Sequence, residues 1–175
     1  ITLWPDMDHF DRFAKDKRIS AIRMNTSMAS EETFEEDLKH GIETAEIPLY
    51  LDIKGRQLRI RDVSDNTDRL EIKLNHPISV DLPTPVIFKQ GIDDSTLVEV
   101  NGNKLTFDVG PRFLVEEGES ICIRDESLVV GGKLLEDYEV ERIKIAKRLG
   151  YDKYMLSFVE SADDIKEFRK YTGDD

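Results

Sequence analysis

An interrupted alternation of strand and helix patterns is the feature that most constrains how this sequence can fold. Ile1-Thr2-Leu3-Trp4 reads as the end of a strand closed by Pro5. Met7, Phe10, Phe13 and Ala14 then mark the apolar face of a short helix, which Asp6 or Asp8 can cap. Residues 19–24 read as a second strand. Ser30, followed by Glu31 and Glu32 where a helix start favours negative charge, opens a second helix with Phe34, Leu38 and Ile42 on one face. Residues 47–51 read as a third strand. A β-α-β-α-β succession with short connections predicts a parallel sheet.

The pattern changes from about residue 60 to residue 133. Helical periodicity fades, and short β-rich runs appear at 70–74, 78–82, 96–100, 104–109 and 119–123. Asn101-Gly102-Asn103 between two alternating runs is a hairpin signal. Pro83-Thr84-Pro85 and Gly110-Pro111 read as punctuation, and Gly131-Gly132 as a hinge. After residue 134 the α/β pattern returns. Val140, Ile143, Ala146 and Leu149 share a helix face that Gly150 ends, and residues 154–159 form a further strand. Ser161 with Asp164 forms a capping pair for a last helix, with Ala162, Ile165 and Phe168 facing inward. The expected organisation is therefore a β/α unit in two parts, 1–59 and 134–175, around a β-module at 60–133.

Twenty-five Lys+Arg against 37 Asp+Glu give a formal net charge of −12. That field repels phosphate backbones and anionic headgroups, which disfavours nucleic-acid and membrane partners. A small anionic substrate would need a local cluster of positive charge. The single cysteine, Cys122, allows no internal disulfide, which points to a cytoplasmic setting. Flanked by Ile121 and Ile123, it reads as a small buried strand residue. His9, His40 and His76 lack metal-ligand spacing and are assigned to the surface.

Four motifs occur in a recognisable order. Thr2-Leu3-Trp4-Pro5 is similar to Thr-Ile-Gly-Pro, and Ala21-Ile22-Arg23-Met24-Asn25-Thr26-Ser27 to Ala-Arg-Leu-Asn-Phe-Ser-His-Gly. Leu51-Asp52-Ile53-Lys54-Gly55, then Leu58-Arg59, resembles Leu-Asp-Thr-Lys-Gly-Pro-Glu-Ile-Arg. Leu156-Ser157-Phe158-Val159, then Ser161-Ala162 and Asp164-Ile165, is similar to a Ser-Phe-Val/Ile and Asp-Ile/Val signature. In this order, with a β-insert after the third strand, they resemble the pyruvate kinase family. The resemblance implies an α/β protein: a partial TIM-type (β/α) barrel of about four parallel strands, interrupted by an all-β lid.

By that resemblance the protein serves phosphoryl transfer between phosphoenolpyruvate and ADP, a glycolytic reaction giving pyruvate and ATP. Such a barrel keeps its active groups at the C-terminal ends of its strands, and phosphoryl transfer needs positive charge around the moving oxygens. Arg23 would contact the phosphoryl group, with Lys54 beside it. Asn25, Ser27, Asp52 and the carbonyl of Ile53 would hold potassium. Asn25 and Arg59 would serve the nucleotide, ADP or ATP, and Pro5 would border the adenine. The family's proton-handling lysine and its magnesium-binding Glu and Asp lie on later strands, so this stretch alone is expected to be inactive. The sequence opens at Ile1, in mid-strand, which hints at an excised piece. The rest of the barrel is expected from further residues, another chain or a homo-oligomer of half barrels.

The sequence departs from the family at Met28-Ala29 for His-Gly, at Arg56-Gln57 for Pro-Glu, and at Ile53 for threonine. Trp4 replaces glycine, a bulky group close to where adenine would lie. Plainer readings stay open beside the functional ones. Arg23 and Asp52 can be an ion pair closing the strand ends, and Asn25 and Ser27 can be turn and capping residues. A non-catalytic relative that binds an anion or nucleotide is the alternative function. Enolate chemistry in another type of barrel is a third reading, against which the place of the insert argues.

Overall fold

Three strands whose side chains alternate between core and open face pair in parallel: β1 (Ile22–Asn25), β2 (Leu49–Ile53) and β11 (Tyr154–Leu156), in the order β1-β2-β11. The N-terminal segment lies beside β1 through a parallel bridge from Thr2 to Arg23, with Leu3 N–H donating to the Arg23 carbonyl at 3.1 Å. These assignments come from a computed structural model that describes residues 1–66 and 69–173. The chain divides into two units, Ile1–Gly55 with Leu134–Asp175, and Arg56–Lys133.

In the first unit the helices are α1 (Phe10–Ala14), α2 (Phe34–Thr44), α3 (Asp137–Arg148) and α4 (Ala162–Thr172). Phe10, Phe34, Leu38, Ile143, Ala146 and Phe168 from these helices bury against Ile22, Met24, Leu51 and Ile53 of the sheet. The end of α3 follows the expected chemistry. Gly150, at φ +93°, donates to Lys147 O at 3.0 Å, and Tyr151 N–H reaches back to Ala146 O at 3.0 Å, a Schellman closure. Ser161 and Asp164 cap α4 reciprocally.

Several expectations are corrected here. Helix α2 starts at Phe34, not Ser30, because the Ser30 hydroxyl accepts from Glu32 N–H and makes a local turn. Ile42 is exposed and Gly41 takes the buried place, since seven residues bring a helix back to Phe34's face more closely than eight do. A Cβ on Gly41 would stand 2.8 Å from the Tyr151 hydroxyl, so the close approach requires glycine. Neither Asp6 nor Asp8 caps α1, whose N-cap is His9 without a side-chain bond. Ala162 is exposed, and Asp164 and Phe168 are the buried positions of α4. The last strand stops at Leu156, because Phe158 takes a left-handed φ of +55°.

The second unit is antiparallel. Strands β3 (Ile60–Asn66), β4 (Arg69–Leu74), β6 (Thr84–Phe88), β7 (Asp93–Asn101), β8 (Lys104–Phe107) and β9 (Cys122–Ile123) form one sheet in the order β3-β4-β8-β7-β6-β9. Two short strands, β5 (Ile78–Ser79) and β10 (Val129–Val130), pair separately. The β7–β8 hairpin turns through Gly102-Asn103 with Asn101 opposite Lys104, as the sequence leads one to expect. The Pro-Thr-Pro punctuation is instead the start of β6. Pro85 is accommodated because β9 covers only Val86 and Ile87, so no ladder bond is asked of the proline on that side.

Ile60, Ile72, Leu74, Val86, Phe88, Leu97, Leu105 and Phe107 supply the core of this unit. Cys122 is exposed, contrary to expectation, since strand alternation that buries Ile121 and Ile123 turns the residue between them outward. His76 is buried, not at the surface. Among the described residues no helix is long and apolar enough to cross a membrane.

Candidate functional site: a buried carboxylate at the strand ends

Paired residues in a parallel ladder point to the same face, so the register places Arg23 and Asn25 of β1 on one side with Tyr50 and Asp52 of β2. Lys54, two residues beyond Asp52, follows on that face, and Ser157 arrives from the end of β11. Three side chains, Arg23, Lys54 and Ser157, thus converge on one carboxylate from the ends of three strands. Asp52 is buried, with 1% of its side chain exposed. Its Oδ2 accepts from Arg23 Nε at 2.8 Å, from Arg23 Nη2 in a shorter contact, and from Lys54 Nζ at 2.6 Å. Its Oδ1 accepts from the Ser157 hydroxyl at 2.7 Å.

Burial by itself would raise the Asp52 pKa. The hydrogen bonds from Lys54, Ser157 and Arg23, with the Lys54 charge, outweigh it and hold the carboxyl below its ordinary range. Two cations, Arg23 and Lys54, thus meet at one carboxylate. The Arg23 side chain is 41% exposed, and its contacts to Asp52 use Nε and Nη2. Such a guanidinium, oriented by a fixed carboxylate and open along its other edge, is prepared to receive an anion.

The loop after β1 is held tightly as well. Asn25 Oδ1 accepts from Ser27 N–H at 3.1 Å and from the Ser27 hydroxyl at 2.7 Å, capping a 3-10 turn at Thr26–Met28. Thr26 is buried and its hydroxyl donates to the Asp52 carbonyl at 2.8 Å. The Ile53 carbonyl accepts from Ser157 N–H at 2.9 Å. Amide, hydroxyl, carbonyl and carboxylate oxygens make a hard donor set of the kind an alkali cation prefers, and Asp52 Oδ1 keeps lone-pair capacity beyond its single bond from Ser157. Among the described residues no group of three or more His, Cys, Asp or Glu side chains is placed to hold a metal ion.

The structure therefore brings Arg23, Asp52 and Lys54 together, with Asn25, Ser27 and Ile53 on the adjoining strand ends. Pro5 and Trp4 are both buried. Trp4 is a core residue rather than a bulky group at an open site: it stacks on Phe34 at 5.8 Å and donates through Nε1 to Asp37 at 2.8 Å. Arg59 lies in the second unit, donating to Gly118 O at 2.8 Å and Gln57 Oε1 at 2.7 Å.

Two charged residues of α3 went unassigned in the sequence. Glu139 is buried, and its Oε1 accepts from Lys54 N–H at 3.0 Å and Gly55 N–H at 3.1 Å, while Oε2 accepts from Glu136 N–H at 3.0 Å. Burial raises its pKa despite these three backbone bonds. Arg142 is buried, and donates to the Thr26 carbonyl at 2.9 Å and to Glu31 at 2.6 Å. Of the two, only Glu139, three residues after the N-cap Glu136 and in the first turn of α3, carried a local signal, that of a capping box.

No protein-family model matches the chain, and no curated protein sequence matches it. Among solved structures it is similar to Cryptosporidium parvum pyruvate kinase in complex with ADP, with a TM-score of 0.69 and 16% identity over 97% of this chain. The match covers 39% of that chain, so the sequence spans about two-fifths of its length. The likeness shows a pyruvate-kinase-like fold.

Proposed function

We propose that this chain is the anion-receiving part of a pyruvate-kinase-like phosphotransferase, moving a phosphoryl group between phosphoenolpyruvate and ADP. The convergence of Arg23, Lys54 and Ser157 on buried Asp52 supports this reading, because it sets a partly exposed arginine, oriented by a fixed carboxylate, at the C-terminal ends of parallel strands, where barrel enzymes work. In this reading the parallel sheet is part of a (β/α) barrel and the β-module its lid. Asp52 orients Arg23, and Arg23 offers its open edge to the phosphoryl oxygens. Lys54 fixes Asp52 in its ionised form and holds that orientation. Asn25, Ser27, Asp52 and the Ile53 carbonyl would hold potassium, which adds positive charge opposite the anion. The proton-handling lysine and the magnesium carboxylates belong to later strands of the barrel, outside these 175 residues.

A second reading is a non-catalytic relative that binds an anion or nucleotide without turnover. Lys54 favours it, being almost wholly buried and bonded to Asp52 rather than open to a substrate. Calorimetric titration of the intact protein with phosphoenolpyruvate, ADP and ATP, with potassium and magnesium present, decides between the two when joined to a coupled assay for pyruvate. The expected result is phosphoenolpyruvate binding that weakens about 10- to 100-fold in Arg23→Ala, the loss of a charge-assisted contact. Binding without pyruvate formation selects the second reading. Absence of binding by the natural protein, or equal binding by Arg23→Ala, overturns both.

A further inference from the structure

Helix α3 sends two oppositely charged side chains, three residues apart on one face, to the exits of two different strands. Glu139 takes the N–H groups of Lys54 and Gly55, just past β2. Arg142 takes the carbonyl of Thr26, just past β1. Thr26 is then gripped from both ends: its carbonyl by Arg142, and its hydroxyl by donation to the backbone of Asp52. Asn25 and Ser27 flank this gripped residue, and their side chains bond to each other across it.

Packing alone does not call for an arginine at this place. The side chain of Arg142 is 8% exposed, lies 4.9 Å from the Phe34 ring centre and 5.2 Å from that of Tyr138, and leaves Nε buried without a hydrogen-bond partner. An apolar side chain of similar length would fill such a space without the desolvation penalty of a guanidinium. What an apolar residue would not do is hold the Thr26 carbonyl. The glutamate presents the same contrast, since its buried carboxylate is retained where it satisfies two N–H groups of the β2 exit.

We propose that α3 sets the geometry of the anion-receiving strand ends, with Arg142 as positioning residue for the Asn25–Ser27 loop and Glu139 as positioning residue for Lys54 and Gly55. The inference rests on the functional reading above and adds to it two residues that touch no substrate. Loosening the Asn25–Ser27 loop should act first on the oxygens assigned to potassium, and through them on the anion.

The test titrates phosphoenolpyruvate into the intact protein at a series of potassium concentrations, for the natural protein, Arg142→Gln, Arg142→Lys and Arg148→Ala. Circular dichroism confirms that each variant is folded. In Arg142→Gln the potassium concentration giving half-maximal phosphoenolpyruvate binding is expected to rise about tenfold. Lysine, which offers a donor to the Thr26 carbonyl but no fork to reach Glu31 as well, should recover part of that loss. Arg148→Ala, which removes a surface ion pair from the same helix, should change nothing. A folded Arg142→Gln with an unshifted potassium midpoint overturns the inference while leaving the functional reading in place. Absence of phosphoenolpyruvate binding by the natural protein overturns both. Should Arg142→Gln fail to fold, Glu139→Gln carries the same test, with a shifted midpoint in support and an unshifted one against.

Discussion

The two units of this molecule bury polar groups in different ways. The β/α unit buries Asp52, Lys54, Glu139, Arg142 and Asp164, and the first four of these tie strand exits to one another or to α3. The β-module sets Phe88 and Phe107 in an edge-to-face pair at 5.4 Å within its apolar core, and its buried His76, Thr84, Asp93, Ser95 and Thr106 include one carboxylate, Asp93, which accepts from the backbone N–H groups of Asp94 and Phe113. Topology explains the contrast. An antiparallel hairpin satisfies its backbone through its own ladder and turn. Parallel strands end together on one side of the sheet, and their exits leave N–H and C=O groups that side chains must meet. Charge gathered at those exits is available for chemistry; charge at the rim of a hairpin is not.

The contrast can be broken most forcefully at Asp52. Asp52→Ala removes the buried carboxylate that Arg23 and Lys54 share and should destabilise the β/α unit by about 3–5 kcal/mol. Amide hydrogen exchange followed in each unit reads this directly, through faster exchange in β1 and β2. A loss below about 1 kcal/mol would mean that the cluster is solvated rather than structural. The matching change in the β-module is Ile72→Ala, at a residue 1% exposed. Removing those methyl and methylene groups should cost about 3 kcal/mol and speed exchange in β4 and β8.

The smallest effect sharpens the comparison through pH. Burial raises the folded-state pKa of Glu139 above the ordinary glutamate value. The folded state therefore binds more protons than the unfolded state between those two values, and stability falls as pH rises through that window. Glu139→Gln should remove this slope, at a cost of about 1 kcal/mol in midpoint stability. Asp52 runs the other way, because its folded-state pKa is depressed. Its contribution is present above the ordinary aspartate range and is lost as pH falls toward the lowered value. Denaturation midpoints followed from acid to neutral pH separate the two directions, the Asp52 contribution being lost on the acid side and the Glu139 contribution as pH rises above the ordinary glutamate value.

Much of this architecture was legible before any coordinates. The helix periods, the hairpin at Asn101-Gly102-Asn103, the Gly150 stop and the Ser161–Asp164 cap are all local, fixed by residues within a few positions of each other. The order of the motifs placed Arg23 and Asp52 at corresponding strand ends, and they meet there. The misreading of Cys122 was a local one, since strand alternation turns it outward, while His76 and Trp4 have settings decided by distant chain. Cys122 looked buried between isoleucines and His76 looked exposed. Trp4 looked like a bulky group close to where adenine would lie, and the structure adds that it is a core residue held by Phe34 and Asp37 of α2.

By itself the sequence determined where helices and strands begin to form, that a β-module interrupts a β/α unit, and which strand ends carry arginine, aspartate and lysine. Those are consequences of short-range periodicity and turn chemistry. Only the tertiary structure decided that Glu139 and Arg142 are buried and reach partners 85 and 116 residues away. On a helix such charges look like any solvated face, and burial with long-range hydrogen bonding has no local signature.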